Sequence, residues 1–497
     1  MRRRFVAGAT ISLIVLAACG DGGSILNAGL DSPPSTVAPA STQPGQTTVP
    51  PTTTTTPLSS LPACPVEALA AAAGPVELTF WHGMNGDLEK QLVTLTDEYN
   101  ASQPKVHVTL QNQGGYEQTI SKYLQSGQDA LPDLAQMPEY MVQAMRDTHS
   151  NVPVEACVKA DGYDVTSFLP RAISQYTTES VLWSMPFNVS DPVLFYNKKM
   201  FAAAGLDPEK PPASLEELRA DSQAIVSSGA ASYGIALDSG SDSGGGWFLE
   251  QWFSKARALY SDNDNGRTAP STKVLFDSPA GSDMLTYLQK MIADGLAVNV
   301  GDNSSGQDNF LKLADKSKPA AMTIGTSAAL GQVLSVVKGG LFPGISVEDI
   351  GIGPMPGPNG APGALVGGAS LWIVDGKRPE VTAATWDYIK FLVTAQHQSE
   401  WAAATGYVPV RQDALTLPPI ATTYQQDPRF QVAYDQLLQA VDAPSSVGPV
   451  LGPMREVRAV AAQMIAEVFN GADVAASLAA GAQQADALIA GYRAQNG

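Results

Sequence analysis

From Val76 onward the sequence switches repeatedly between two hydrophobic periods, and this limits the folds open to it more than any other feature. Val76, Leu78 and Phe80 alternate with Glu77, Thr79 and Trp81, the two-residue period of a half-buried strand. Leu88, Leu92, Leu95 and Tyr99 then share one helical face. Val106, Val108 and Leu110 return to the strand period. Strand, helix and strand in succession predict a βαβ unit, because parallel strands need a crossover that packs back onto the sheet. Pro132-Asp133-Leu134 opens the next strand.

The alternation recurs. Ser214-Leu215-Glu216-Glu217 reads as a capping box that starts a helix, and Gly229 ends it. Tyr233 to Leu237 reads as a strand, and Ser278-Pro279 starts a helix that Gly295 stops. Met322-Thr323-Ile324 is a strand that turns through Gly325-Thr326-Ser327 into a helix. Gly351 to Gly360 is cut by prolines and reads as a loop; Leu371 and Ile373 mark another strand, and beyond Glu380 the periods are mostly helical. No second Pro/Ser/Thr-rich tract divides the chain, so the pattern predicts two α/β lobes joined by short crossovers, with a helical C-terminal part.

The first residues carry a different message. Arg2, Arg3 and Arg4 precede a short apolar run from Phe5 to Ala18, the make-up of an export leader rather than of a membrane span. The run ends in Leu16-Ala17-Ala18-Cys19-Gly20, which resembles a lipobox, with Cys19 as the lipidated residue. Ser35 to Pro62 is dominated by Thr, Pro and Ser, a composition that cannot bury enough surface to fold and predicts a tether. With Cys19 lipidated, Cys64 and Cys157 remain; outside the cytoplasm they can pair, the alternative being two unrelated buried thiols.

Composition and motifs narrow the function. A formal net charge of −18 argues against wholesale nucleic-acid binding, which needs a basic face. His82, His107, His149 and His397 form no close sequence pair, and neither a nucleophile elbow nor a phosphate loop is present. No catalytic residue, metal or cofactor is expected, although paired carboxylates can still meet in a fold.

Binding signals are more plentiful. Thr326 and Ser327 offer hydroxyls at a helix start, where free N–H groups favour anions; each also serves as an ordinary N-cap. In LGPMREVRAVAAQMIAEVF, Arg455 and Arg458 lie in the first turns of a helix, where the dipole disfavours cations. A bound phosphate or carboxylate offsets that cost, and so does a local acidic partner at the surface. Tyr116, Trp247 and Tyr407 each follow glycine, as aromatic walls for a polyol or as loop anchors. MPFNVSDPVLFYNK, from Met185 to Lys198, sets Asn188, Ser190 and Asp191 between Pro186 and Pro192, just before an apolar strand. It reads as a proline-framed turn, structural or ligand-binding.

Taken in order, FWHGMNGDLEKQL, NQGGYEQ, MPFNVSDPVLFYNKKMFAAAGLDPEKPP, VGGASLWIV, TGYVPVR and LGPMREVR resemble the extracellular solute-binding proteins of bacterial ABC importers, in particular the sn-glycerol-3-phosphate-binding branch. The resemblance implies a two-lobed periplasmic-binding-protein-like fold of type II, with a hinge and a cleft between lobes. It divides the chain into a lipoprotein leader at 1–19, a tether at 20–75, and the first lobe at 76–187. The second lobe follows at 188–324, a return to the first at 325–379, and a helical part mainly with the second lobe at 380–497.

It also implies a ligand set of Tyr116, Glu139, Ser190, Trp247, Thr326, Ser327, Gly368, Tyr407 and Arg458. Arg458, Thr326, Ser190, Tyr407 and the Gly368 N–H would hold phosphate oxygens, with Glu139 on the glycerol hydroxyls at the far end. The implied role is a monomeric, lipid-anchored receptor that delivers glycerol 3-phosphate or a glycerophosphodiester to membrane permease subunits. A sugar receptor of the same fold and a tethered extracellular hydrolase are the rival readings.

Overall fold

The computed structural model describes residues 61–241, 245–303, 306–342 and 344–496. The segment at Val76 forms strand β1 (Val76–His82), which pairs in parallel with β2 (Val106–Asn112) along its whole length, the helix Gly86–Ser102 lying between them in sequence. β3 (Leu134–Pro138) runs parallel on the other side of β1. β4 (Asn151–Val152) follows, then the small hairpin of β5 (Thr177–Thr178) and β6 (Val181–Leu182), and then β7 (Met185–Ser190). β8 (Pro192–Asn197), β9 (Tyr233–Leu237), β10 (Ala297–Asn299), β11 (Ala320–Thr326) and β12 (Ile350–Pro354) make a separate sheet in the order β10-β9-β11-β8-β12. β13 (Gly367–Val374) returns to the first sheet, antiparallel to β3 on one edge and to β4 and β7 on the other.

The chain therefore changes sheets between Ser190 and Pro192 and again between Pro354 and Gly367. Each sheet with its helices is a lobe. The expected boundaries shift accordingly. β7 keeps the chain in the first lobe through Ser190, not 187, and β12 keeps it in the second lobe beyond 325, so the return begins after Pro354. The helices Pro379–Leu392 and Ala395–Thr405 pack on β1 and on the helix Gly86–Ser102, and so belong to the first lobe. Only the later helices Val432–Leu438, Met454–Phe469 and Val474–Asn496 join the second.

Three local expectations also change. MPFNVS is not a turn: it is the fully buried strand β7, with Pro186 opposite Ser370 beside an irregularity in the ladder and Pro192 at the first position of β8, both places where a missing N–H is tolerated. Ile350–Pro354 is strand rather than loop, because Gly351 lets the Tyr196 ring lie on the backbone; a Cβ there would meet Tyr196 Cζ at 2.1 Å.

The tether also stops short of 75. Cys64 is buried and disulfide-bonded to Cys157, and the turn Val66–Leu69 packs on the helix Pro379–Leu392. Closing a loop with a sequence separation of 93 stabilises the fold by about 4.6 kcal/mol on chain-entropy grounds. The leader, Cys19 and the tether up to residue 60 lie outside the described residues. Among the described residues, no helix is long and apolar enough to cross a membrane.

His82, at the end of β1, is 1% exposed, and its Nδ1 accepts from the Met84 N–H at 3.3 Å. Burial lowers its pKa from 6.5 to about 4, the Glu89 charge offsetting only part. Below the unfolded value the unfolded chain takes up a proton that the fold refuses, so stability falls as pH drops from 6.5 toward about 4 and levels off below. The loss contributed by this residue is about 3 kcal/mol. In urea titrations across that window, His82→Asn is expected to lose stability less steeply than the wild type; parallel slopes would remove His82 as the cause.

Candidate ligand-binding site

Where β7 hands over to β8, the side chains of the first lobe form a chain of hydrogen bonds. Gln136 Oε1 accepts from the Gly83 N–H at 3.0 Å, and Gln136 Nε2 donates to Asn188 Oδ1 at 2.8 Å. Asn188 Nδ2 donates to the Tyr116 hydroxyl at 2.8 Å, and that hydroxyl lies 3.5 Å from the Tyr407 hydroxyl. Tyr116 is the first residue of the helix Tyr116–Gln125, so the turn Gly114-Gly115 aims its ring back at the strand ends. Because Asn188 donates to it, the Tyr116 oxygen is already an acceptor.

Gly368 sits opposite Val189 at φ 90°, and a Cβ there would fall 1.9 Å from the Asn188 carbonyl oxygen. The glycine is fixed by backbone approach. Ser190 is buried at the end of β7. The Trp247 ring, from the helix Gly245–Lys255, lies against Gly367, next to Ser190. Tyr407 is buried and stacks on Trp401 with ring centroids 5.8 Å apart and planes 17° from parallel.

Thr326 and Ser327 have structural partners. The Thr326 Oγ1 accepts from the Ala328 N–H, the ordinary capping bond, and Ser327 Oγ accepts from the Asp191 N–H at 3.3 Å while its own N–H donates to the Asp191 carbonyl at 2.9 Å. Both lace the crossover between lobes.

The arginine is where expectation and geometry diverge most. Arg458 is 3% exposed, and its guanidinium is taken up by two carboxylates. Nε and Nη2 donate to the two oxygens of Glu250 at 2.6 and 3.0 Å, and Nη2 also donates to Glu139 at 2.7 Å. The Tyr140 ring lies beneath the cation, 4.3 Å away. Glu139 is thus not at the far end of a pocket from Arg458 but directly on it. Burial works against the Arg458 charge, yet Glu250 and Glu139 more than offset it and hold the guanidinium firmly protonated. Burial raises the Glu139 carboxyl above its ordinary range, Arg458 offsetting only part.

Sequence reasoning missed Gln136, Glu250 and Tyr140, and named Asn188 only within the proline-framed stretch. For Asn188 the proline-framed stretch was a signal; Glu250 had one in its place one helical turn after Trp247. The structure brings Tyr116, Glu139, Ser190, Trp247, Tyr407 and Arg458 to the junction of the lobes. Elsewhere, Glu98, His397 and Glu400 meet on the first lobe, His397 Nε2 lying 3.6 Å from Glu98, a partly exposed acid–histidine pair.

Chemically, the junction offers aromatic faces, hydroxyl donors and one cation flanked by two anions. It suits reversible capture of a polar solute.

Residues 94–432 match the family described as bacterial extracellular solute-binding protein. The chain is 30% identical over 412 residues to the sn-glycerol-3-phosphate-binding periplasmic protein UgpB of Yersinia pseudotuberculosis, covering 81% of this chain and 89% of that one. Among solved structures it is similar to UgpB from Mycobacterium tuberculosis in complex with glycerophosphocholine, with a TM-score of 0.69, 20% identity and coverage of 85% and 100%. It is also similar to the cyclic alpha-maltosyl-1,6-maltose binding protein from Arthrobacter globiformis, with a TM-score of 0.67, 23% identity and coverage of 84% and 99%. Both structural likenesses bear on fold alone.

Removing the cation from this cluster leaves two carboxylates buried together. Arg458→Ala is expected to lose roughly 3–5 kcal/mol of stability at neutral pH in urea unfolding. Adding Glu139→Gln to that variant is expected to return part of the loss. A single variant as stable as the wild type would contradict the buried triad.

Proposed function

The chain belongs to the bacterial extracellular solute-binding proteins, and on that premise we propose that its solute is a glycerophosphodiester or sn-glycerol 3-phosphate. As a member of this family it binds a small molecule outside the cytoplasm and delivers it to an ABC permease; it is not an enzyme, which sets the hydrolase reading aside. We assign ligand contact to Tyr116, Glu139, Ser190, Trp247, Tyr407 and Arg458, with Thr326, Ser327 and Gly368 shaping the crossover beside them. The mature chain is proposed to be a monomer held at the outer face of the membrane by lipid on Cys19.

The observation that carries the reading is the convergence, at one junction, of the residues that the glycerol-phosphate motifs single out, with Arg458 as their cation. Charge then separates the two ligands. Arg458 faces two carboxylates, so a dianionic monoester meets net repulsion. A diester carries one charge less, and a cationic head group on it would find the carboxylates favourable. The diester is the better match.

A second reading, a sugar, is favoured by one observation: both Glu250 and Glu139 already occupy the Arg458 fork, and a neutral polyol needs no anion receptor.

Calorimetric titration with glycerophosphocholine, glycerol 3-phosphate and maltose decides. Glycerophosphocholine is expected to bind tightest and to lose about tenfold or more in affinity in Arg458→Lys, which keeps the charge but not the planar fork. Binding of maltose alone would overturn the ligand class, and unchanged binding in the variant would remove Arg458 from the site.

A further inference from the structure

Arg455 is the arginine that the function leaves unexplained. It lies one turn before Arg458 at the start of the helix Met454–Phe469, in the second lobe, where the dipole disfavours it. Its Nε lies 2.5 Å from Glu117 Oε2, and Glu117 is on the helix Tyr116–Gln125 of the first lobe. The other Glu117 oxygen accepts from the Tyr140 hydroxyl at 2.9 Å. The Tyr140 ring supports the Arg458 guanidinium at 4.3 Å, and Arg458 reaches Glu139 at 2.7 Å. Arg455, Glu117, Tyr140, Arg458 and Glu139 thus form one continuous path that crosses between lobes three times, once at the rim and twice at the buried centre.

We propose that Arg455 and Glu117 form a latch between the lobes, a pair outside the ligand site that favours the closed arrangement and positions both Tyr116 and Arg458 for the solute. Glu117 follows Tyr116 directly in sequence, so a pull on Glu117 sets the start of the helix from which Tyr116 reaches Asn188. The Tyr140 hydroxyl, held by Glu117, fixes the ring on which Arg458 rests. Arg455 is 40% exposed at its side chain and Glu117 19%, so salt reaches the rim pair far more readily than the buried one, where Arg458 is 3% exposed. The latch is therefore the part of the path that ionic strength adjusts.

The positioning half of the proposal rests on the ligand reading above; the latch half does not, and the experiment separates them. Spin labels on Val93→Cys in the first lobe and Leu311→Cys in the second report the inter-lobe distance, both positions being exposed. Arg455→Ala is expected to spread that distance toward longer values without added ligand, and to weaken glycerophosphocholine binding about two- to fivefold. The exchange Arg455→Glu with Glu117→Arg is expected to restore both, and high salt to reproduce the Arg455→Ala distances in the wild type. An unchanged distance distribution in Arg455→Ala, or an exchange that restores nothing, would overturn the latch. Altered distances with unaltered affinity would overturn the positioning role. If the wild type fails to bind glycerophosphocholine, the ligand reading falls, and the distance measurements still decide the latch.

Discussion

One buried residue carries the chain from the first sheet to the second. β7 ends at Ser190 and β8 begins at Pro192, so the lobes are tied by Asp191 with almost no slack. Asp191 is fully buried, and its carboxylate accepts from Gln436 Nε2 at 2.9 Å. The same amide donates to the Pro192 carbonyl at 2.8 Å, while Gln436 Oε1 accepts from the Met355 N–H at 2.8 Å, at the start of the return crossing. One glutamine thus holds together the two places where the chain changes sheets. Burial drives the Asp191 carboxyl well above the ordinary carboxylate range, Gln436 and Lys255 offsetting part of it. The lobes cannot part at this point, and Ser190 and Asn188 of the proposed site and its hydrogen-bond chain lie within three residues of it.

That constraint explains why a charged triad is tolerated in so dry a place. Desolvating Arg458, Glu139 and Glu250 is expensive, and replacing such clusters by apolar side chains often stabilises proteins. Here the cluster spans the lobes: Glu250 and Arg458 come from the second, Glu139 from the first. Its energy therefore depends on how the lobes sit, which an apolar contact would not register so sharply with distance. The contact is made only where the two lobes meet, so its energy is tied to their arrangement.

Much of the fold could be read from the sequence because it rests on local rules. The Ser214 capping box, the αL residue Gly229 and the periods of β1, β2, β9 and β11 all appear where their side chains predict them. β7 and β12 could not, since their pairing depends on β13 and β8, far away in sequence, which overrides proline and glycine preferences. The site was legible in part. Its aromatics and hydroxyls stand out by their glycine and proline surroundings, whereas Glu250 stands out only by its place one helical turn after Trp247. The partner of Arg458 was sought as a bound anion or a surface acid, and neither alternative anticipated two buried carboxylates from different lobes. Spacing along one chain carries no information about a pair more than 200 residues apart.

The same geometry limits how a solute can act. A ligand shifts the lobes only by the difference in its interaction with the two arrangements. Arg458 is already bridged to Glu139 when the lobes meet, so an anion that merely takes Glu139's place on the guanidinium exchanges one charge-assisted hydrogen bond for another and gains little. The differential must come from groups the protein does not already saturate across the junction. Ser190 on the first sheet and the face of Trp247 from the second lobe lie at that junction and are proposed to supply it. Selectivity among solutes is then proposed to follow from the hydrogen-bonding groups and ring faces they present to this junction. On the proposed ligand reading the triad would set which charges are admitted, and a solute that brings its own cation to the displaced carboxylate would recover what the exchange at Arg458 costs.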